Sequence, residues 1–259
     1  MSNIIPDYLS NKIKLENLTS DKIVHGLPWG IVDRNTIQNI INSYENIPKI
    51  AYLFLITDSC DQFHIPNNVR LYRTSLYKSK QHKNEHILPY IWENISDPFV
   101  ALEKTAKPIV GFCGLNSQHR RKTLHLIGSN ENIISHFIIR NAFWGGKPHD
   151  KGLVSDFVEN MKTSHFNVCN RGAGNFSMRF YQTLSCGRIP ILLNTDMILP
   201  FETTIDWNDL IILADTEEGL IDKLLYVWNN NDIAEMQYKC KQVYDKYFSE
   251  SNFLDLIIR

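Results

Sequence analysis

The sequence has little cysteine: its 259 residues include five, and no two of them are in a CxxC spacing. A sparse and odd set makes neither a disulfide framework nor a zinc knuckle. We therefore expect reduced thiols, as in a cytoplasmic protein. The cysteines are Cys60, Cys113, Cys169, Cys186 and Cys240.

Long apolar runs and an excess of one charge are also missing. No window reaches the ~18 apolar residues of a membrane span, and the N-terminus lacks the apolar core of a signal peptide. The 27 basic and 28 acidic residues give a formal net charge of −1, which argues against a broadly basic nucleic-acid binder. We expect a soluble, cytoplasmic protein with no transmembrane segment and no nucleic-acid partner.

Several well-known site motifs are absent as well. The chain has no Walker A sequence and no GxGxxG, so P-loop and NAD-binding functions lose support. It also has no HExxH zinc motif and no GxSxG nucleophile elbow.

The first hundred residues have the pattern of short strands around one helix. The apolar run at 51–57 does not alternate, which is typical of a parallel strand covered on both faces. A helix over about 35–44 has an apolar stripe and is capped by Asp33 or Asn35. The predicted strands are Lys22–His25, Ile50–Thr57, Val69–Thr74 and His86–Ile91.

Strands and helices alternate after residue 107, which indicates βαβ units and a mostly parallel sheet. We predict an N-terminal domain over 1–105, a C-terminal domain over 106–248, and a tail over 249–259 that packs back on the N-terminal domain. Residues 133–139 fit either a strand or a helix. The other predicted strands are 107–114, 165–169, 189–193 and 210–214, and the predicted helices are 119–127, 153–163, 176–186, 217–229 and 233–248.

The charges are distributed unevenly along the second half. Residues 104–130 and 160–195 hold five and four basic residues and no acid, whereas 196–222 hold eight acids and no base. Because ligands of parallel α/β sheets bind at the carboxyl ends of the strands, beside helix N-termini, this pattern indicates a bound anion. The alternative is a solvated basic face that pairs with the acidic block.

A glycine-rich turn at 170–175 precedes the helix predicted over 176–186. Its glycines permit close approach of the backbone, and Asn175 or Ser177 can cap the helix. Arg179 and Gln182 lie on one face of this helix, and Ser177 lies at its N-terminal end. Such a stripe offers N–H groups for phosphate, a cation for charge and an acceptor for ribose hydroxyls. The alternative is an ordinary strand–helix connection.

Two neighbouring segments of the sequence resemble the exostosin-like glycosyltransferases of family 47. They are GNFSMRFYQTLSCGRIPILL at 174–193 and LPFETTIDWNDLIIL at 199–213. The segment KPIVGFCG with the following HRRKTL, over 107–124, is also similar to a family strand and its arginine-bearing helix. TDSCD at 57–61 is a weaker likeness to a family segment.

The resemblance implies an α/β fold of the GT-B class, with two Rossmann-like domains facing a cleft. It implies inverting transfer from a nucleotide-sugar to a hydroxyl of an oligosaccharide or glycan acceptor, with no bound metal or other cofactor. The expected donor is a UDP-sugar such as UDP-xylose, UDP-galactose or UDP-glucuronate. Gln182 stands where the family usually has Glu, and the short N-terminal domain suggests a compact viral or bacterial version.

Inverting transfer needs a base for the acceptor hydroxyl and positive charge for the leaving diphosphate. Asp58 directly follows a buried strand and is our first candidate for the base, followed by Asp61, His64 and His25. The expected donor-binding residues are Arg120, Arg121, Arg171, Gly172, Gly174, Asn175, Ser177, Arg179, Gln182 and Glu202.

Three other functions stay open from the sequence. The same fold could use a GDP-sugar, since the sequence does not specify the base. The chain could be a non-catalytic partner subunit of a glycosyltransferase complex. The basic stretches alone also fit a module that binds phosphate or a polyanion.

Overall fold

A computed structural model describes residues 22–27, 33–90, 95, 98–147 and 149–249. By its internal contacts the chain divides into two units. The first unit contains the described residues up to Tyr90 together with two later segments, Ala173–Phe176 and Thr195–Glu202. The second unit contains the other described residues.

The first unit is built on a parallel sheet of four strands in the order β1-β2-β3-β4. Helix α1 (Arg34–Asn42) starts at Asp33, whose carboxylate accepts a hydrogen bond of 2.7 Å from the Thr36 amide. The apolar stripe of α1 packs on one face of the sheet, where the core of this unit lies. The strands are β1 (Lys22–Gly26), β2 (Ile50–Leu55), β3 (Val69–Arg73) and β4 (Glu85–Ile87).

The later segments are held in the first unit by hydrogen bonds. The Lys78 amide donates to the Asp196 carbonyl at 2.7 Å, and the Lys78 ammonium pairs with Glu202 at 2.8 Å. The Asn175 side chain donates to the carbonyl of Leu76 at 3.2 Å and to that of Thr195 at 3.0 Å. Residues from the second half of the sequence therefore complete this unit.

The second unit has a parallel sheet of five strands in the order β6-β5-β7-β8-β9. The ambiguous segment at 133–139 is a strand, and it lies at the sheet edge. The strands are β5 (Ile109–Leu115), β6 (Ile134–Arg140), β7 (Phe166–Val168), β8 (Ile189–Leu193) and β9 (Ile212–Ala214). The helices are α2 (Gln118–Ser129), α3 (Lys151–Lys162), α4 (Met178–Ser185), α5 (Glu217–Asn230) and α6 (Ile233–Val243).

The helix predicted over 233–248 is α-helical only as far as Val243 and continues as a π turn over Tyr244–Phe248. The turn places Phe248 against Trp207 and Tyr181, at centroid distances of 6.2 and 5.2 Å. Of the predicted tail, only Ser249 is among the described residues, so the packing predicted for it lies outside them. No described helix is long and apolar enough to cross a lipid bilayer. The five cysteines are free thiols.

The predicted N-terminal domain extends to residue 105, but residues 95 and 98–105 belong to the second unit. The Leu102 amide donates to Gln237 at 3.0 Å, and Arg188 donates to the Val100 carbonyl at 3.1 Å. Arg188 also donates to the Lys162 carbonyl at 2.8 Å. Burial lowers the pKa of this arginine to about 10. Arg188 directly precedes β8 and therefore lies at the amino edge of the sheet.

His165 is a buried histidine whose hydrogen bonds predict that the stability of the fold depends on pH. Its Nδ1 accepts from the Ile109 amide at 3.2 Å, and its Nε2 donates to the Glu103 carbonyl at 2.9 Å. Both nitrogens are satisfied only in the neutral ring. Burial lowers the pKa of His165, the bond to the Glu103 carbonyl raises it, and the charge of Arg188 lowers it, with a net decrease.

A histidine whose pKa is lowered by folding stabilises the protein above its unfolded pKa of about 6.5 and loses that contribution as the pH falls. We expect His165→Asn, whose amide oxygen can still accept from Ile109, to flatten the fall in unfolding free energy between pH 7.5 and 5.5. One such proton contributes at most about 1.4 kcal/mol per pH unit. Urea unfolding of both proteins across this range measures the difference, and identical slopes would contradict the assignment.

Candidate functional site

In the second unit, two arginines from different helices meet at the carboxyl ends of β5 and β7. Arg120 lies in the first turn of α2, and Arg179 lies in the first turn of α4. The carboxyl edge is where parallel α/β sheets bind ligands. Both residues were predicted from the sequence to bind the donor, and the structure brings them together. We call Arg120 and Arg179 the arginine pair.

Arg179 is tied to both strand ends. Its Nη1 donates to the Val168 carbonyl at 3.3 Å and its Nη2 to the Cys113 carbonyl at 2.6 Å. Nε is shielded from solvent and has no hydrogen-bond partner among the described residues. Burial lowers the pKa of Arg179 to about 10, and the charge of Arg120 acts in the same direction. Since this value is well above 7, the guanidinium stays charged.

Arg120 is 6% exposed and has a similar arrangement. Its Nε donates to the Asn170 carbonyl at 3.2 Å and its Nη1 to the Leu115 carbonyl at 3.1 Å. The remaining nitrogen, Nη2, faces the glycine-rich turn, where a Cβ built on Gly172 would lie 3.3 Å from it. Burial lowers the pKa of Arg120.

Among the described residues, neither member of the arginine pair forms a salt bridge with a carboxylate. The acidic block instead neutralises Lys122, which pairs with Glu217 at 3.1 Å and Glu218 at 3.0 Å. A buried cation without a carboxylate is costly. The site is therefore suited to an anionic ligand.

Uncommitted polar atoms lie in the loop between β5 and α2. Asn116 Oδ1 and Ser117 Oγ are buried and have no hydrogen-bond partner among the described residues. Ser117 is the N-cap residue of α2, but its hydroxyl makes no cap bond. The first amides of α2, which lie next to Arg120, therefore receive no side-chain cap from Ser117. Free amides at a helix N-terminus favour anions.

Asn170 connects the elements of this edge and was not predicted as a site residue. Its amide group donates to Thr123 at 2.8 Å, and its side-chain oxygen accepts from the Leu193 amide at 3.1 Å. It thereby links the end of β7 to α2 and β8, and its carbonyl holds Arg120. The feature of the sequence that could have identified Asn170 is its position at the start of the glycine-rich turn.

The other predicted donor residues are distributed over both units. Arg121 is exposed on α2, Arg171 is partly buried beside His119, and Ser177 and Gln182 are buried in or next to α4. Ser177 is the N-cap residue of α4 without a side-chain cap bond. Gly174, Asn175 and Glu202 belong to the first unit.

In the first unit, the glycine-rich turn reaches the leading candidate for the catalytic base. Asp58 is exposed and follows β2. A Cβ built on Gly174 would overlap Ser75 Oγ, and it would lie 2.7 Å from Asp58 Oδ1 and 3.1 Å from Asp58 Cα. The sequence predicted Asp58 and Gly174 separately, and the structure brings them into contact. It also adds Ser75, which the sequence did not indicate.

The three other candidates for the base lie in the same unit in different surroundings. Asp61 is exposed and accepts from the Ser59 hydroxyl at 2.7 Å. The main chain of His64 pairs with the Gln38 side chain at 2.8 and 2.9 Å. His25 is exposed on β1, where its Nδ1 contacts the Tyr44 hydroxyl.

Gly174→Ala should destabilise the protein by about 1–3 kcal/mol, because the added methyl group meets backbone and side-chain atoms. Urea unfolding measures the loss. The control is Gly128→Ala in α2, where a Cβ would have an ordinary contact of 3.6 Å with Phe137. That change should be neutral or slightly stabilising, because alanine favours helix. Equal stability of the two variants would contradict the close approach at Gly174.

Comparison with known proteins supports the sequence resemblance. Residues 61–220 match the exostosin GT47 domain. An exostosin-1 homolog of Caenorhabditis elegans is 33% identical over 93 residues, which are 36% of this chain and 24% of that protein. A probable glucuronosyltransferase 47 A of Physcomitrium patens is 27% identical over 82 residues, 31% of this chain and 18% of that protein.

A probable glycosyltransferase of Arabidopsis thaliana is 21% identical over 248 residues, which are 84% of this chain and 52% of that protein. The chain thus spans about a quarter of the worm relative and about half of the Arabidopsis one. Among solved structures, TarM has a TM-score of 0.46 at 10% identity over 86% of this chain and 56% of that chain. WaaG, a glycosyltransferase involved in lipopolysaccharide biosynthesis, has a TM-score of 0.45 at 8% identity over 89% of this chain and 96% of that chain.

Proposed function

The chain belongs to the exostosin GT47 family, and from this premise we propose that it is a glycosyltransferase. It moves a sugar from a nucleotide-sugar to a hydroxyl of a glycan acceptor. The most suitable donor is a UDP-sugar, such as UDP-xylose, UDP-galactose or UDP-glucuronate. The names of relatives, among them a probable glucuronosyltransferase, agree with this proposal.

The arginine pair is the observation that carries the donor assignment. Two guanidinium groups, partly or fully buried, lie at the carboxyl edge of a parallel sheet with no carboxylate paired to them among the described residues. A diphosphate supplies the missing negative charge and accepts hydrogen bonds from guanidinium and helix amides. We therefore place the donor diphosphate beside Arg120, whose Nη2 faces the glycine-rich turn.

The reaction is an inverting displacement at the anomeric carbon of the donor sugar. As the bond to the diphosphate breaks, negative charge grows on its leaving oxygen, and Arg120 and Arg179 stabilise that charge. The acceptor hydroxyl loses its proton to a general base. We assign the base to Asp58, because this exposed carboxylate follows β2 and contacts the glycine-rich turn at Gly174. With charge supplied by arginine, we propose that transfer is independent of a metal ion.

A thermal-shift screen over UDP- and GDP-sugars tests the donor. A ligand at 100 times its Kd stabilises the native state by about 2.7 kcal/mol, which raises Tm by several degrees. We expect this rise with UDP-sugars, and release of UDP in the presence of a glycan acceptor and of EDTA. A rise with GDP-sugars alone would change the donor, and binding without turnover would favour a non-catalytic subunit. Loss of turnover in EDTA with rescue by manganese would contradict metal independence.

A further inference from the structure

Both members of the arginine pair lie over the same aromatic ring. Phe112 is fully buried in β5. Its ring centroid is 4.3 Å from Cζ of Arg179 and 5.5 Å from Cζ of Arg120. Both distances are within the ~6 Å over which a cation interacts with an aromatic ring.

The pair needs such a contact because two like charges are held close together without a carboxylate among the described residues. Their mutual repulsion is strong where water is excluded. The negative face of an aromatic ring attracts each cation and opposes that repulsion. The pKa of Arg179, lowered by burial and by the charge of Arg120, agrees with this proximity.

The end of β5 is shaped to keep one guanidinium on the ring. A Cβ built on Gly114 would lie 2.7 Å from Arg179 Nη2, so any larger residue at this position displaces the guanidinium. The same Nη2 donates to the Cys113 carbonyl. The Phe112 ring, the Cys113 carbonyl and the missing side chain at Gly114 surround this end of Arg179, and the Phe157 ring centroid lies 5.7 Å from Cζ of the same residue.

We propose that Phe112 is a positioning residue, whose ring holds Arg120 and Arg179 together in the geometry that binds a diphosphate. It does not touch the ligand itself, and it acts through the two guanidinium groups. The inference rests on the proposed function only for the identity of the anion, which is the diphosphate of a nucleotide-sugar.

Fluorinated phenylalanines separate this role from simple packing. Residue 112 is replaced in turn by 4-fluoro-, 3,5-difluoro- and 3,4,5-trifluorophenylalanine, which nearly keep the shape of the ring but progressively remove its negative face. Calorimetry measures the affinity for UDP and, separately, for inorganic pyrophosphate. The same series at Phe166 is the control. This residue is also fully buried, and its ring centroid lies 6.1 Å from that of Trp228.

We expect both affinities to fall stepwise along the series at residue 112, by about tenfold in total, and to stay constant along the series at residue 166. Tm should be equal in the two series. If the UDP affinity stays constant along the fluorinated series at residue 112, the inference is overturned and the proposed function is unaffected. A stepwise fall for pyrophosphate in a protein that binds no nucleotide would support the ring's role and overturn the donor assignment. If the unmodified protein binds neither probe, the inference is also overturned.

Discussion

Arg179→Lys is expected to weaken UDP binding about a hundredfold while leaving the second unit folded. Lysine keeps a positive charge but has neither the planar fork that reaches the carbonyls of Val168 and Cys113 nor the same stacking on Phe112. Its ammonium therefore takes another position, and the diphosphate loses a preorganised partner. Titration of UDP by calorimetry measures the affinity, and the circular dichroism spectrum with Tm reports the fold.

Arg188→Lys is the matched control. Arg188 is buried, like Arg179 it donates to backbone carbonyls, and burial lowers its pKa to about 10, the same value as for Arg179. It lies at the amino edge of the second sheet, so its replacement should lower Tm and leave UDP affinity unchanged. UDP affinity that is unchanged by Arg179→Lys would remove this residue from the site. An equal loss in both variants would show that the effect comes from stability.

Asp58→Asn should lower turnover by about a thousandfold and leave UDP affinity within about twofold of wild type. The amide has nearly the shape of the carboxylate but does not take a proton from the acceptor, and general-base catalysis contributes typically 10²–10⁴ in rate. The change introduces no bulk next to Gly174, whose surroundings leave little space. Release of UDP with a glycan acceptor, measured beside UDP titration, separates the chemical step from donor binding.

Asp61→Asn provides the comparison, since Asp61 is an exposed carboxylate in the same loop and bonds to Ser59. We expect it to keep near-normal turnover. If His64→Ala or His25→Ala abolishes turnover and Asp58→Asn does not, the base is misassigned. Loss of UDP affinity in Asp58→Asn would instead indicate a role in donor binding.

Local signals in the sequence identified most of the elements. The unbroken apolar runs at 51–57 and 107–114 predicted buried strands, and β2 and β5 confirm them. Asp33 or Asn35 was expected to cap the first helix, and Asp33 does so by accepting a hydrogen bond from the Thr36 amide. Gly187 directly follows the helix predicted over 176–186, and its φ of +61° is one that glycine tolerates at a helix end. The expected α/β fold is confirmed, with one parallel sheet in each of two units.

The domain boundary and the edge strand β6 were harder to predict from the sequence, because both depend on contacts between residues that are far apart in the chain. Residues 133–139 carry an apolar pattern that fits both a helix and a strand, and the pairing with β5 makes them a strand. The alternation of strands and helices after residue 107 indicated a boundary near 105. The assignment of 173–176 and 195–202 to the first unit had no sequence signal, since it depends on bonds such as that of Lys78 to Asp196.

The residue types and charges of the chain are the basis for the class of ligand that we propose: acid-free stretches carrying Arg120 and Arg179, and a glycine-rich turn before α4, predict an anion without any knowledge of the structure. Only the tertiary structure showed that these arginines share the Phe112 ring and that Gly174 touches Asp58. Residues 112 and 179, like residues 58 and 174, are far apart in sequence, and their contacts exist only after the sheets have formed. Periodicity and capping act over a few residues and are visible in the sequence, whereas the energy that places two guanidinium groups on one ring comes from the folded packing.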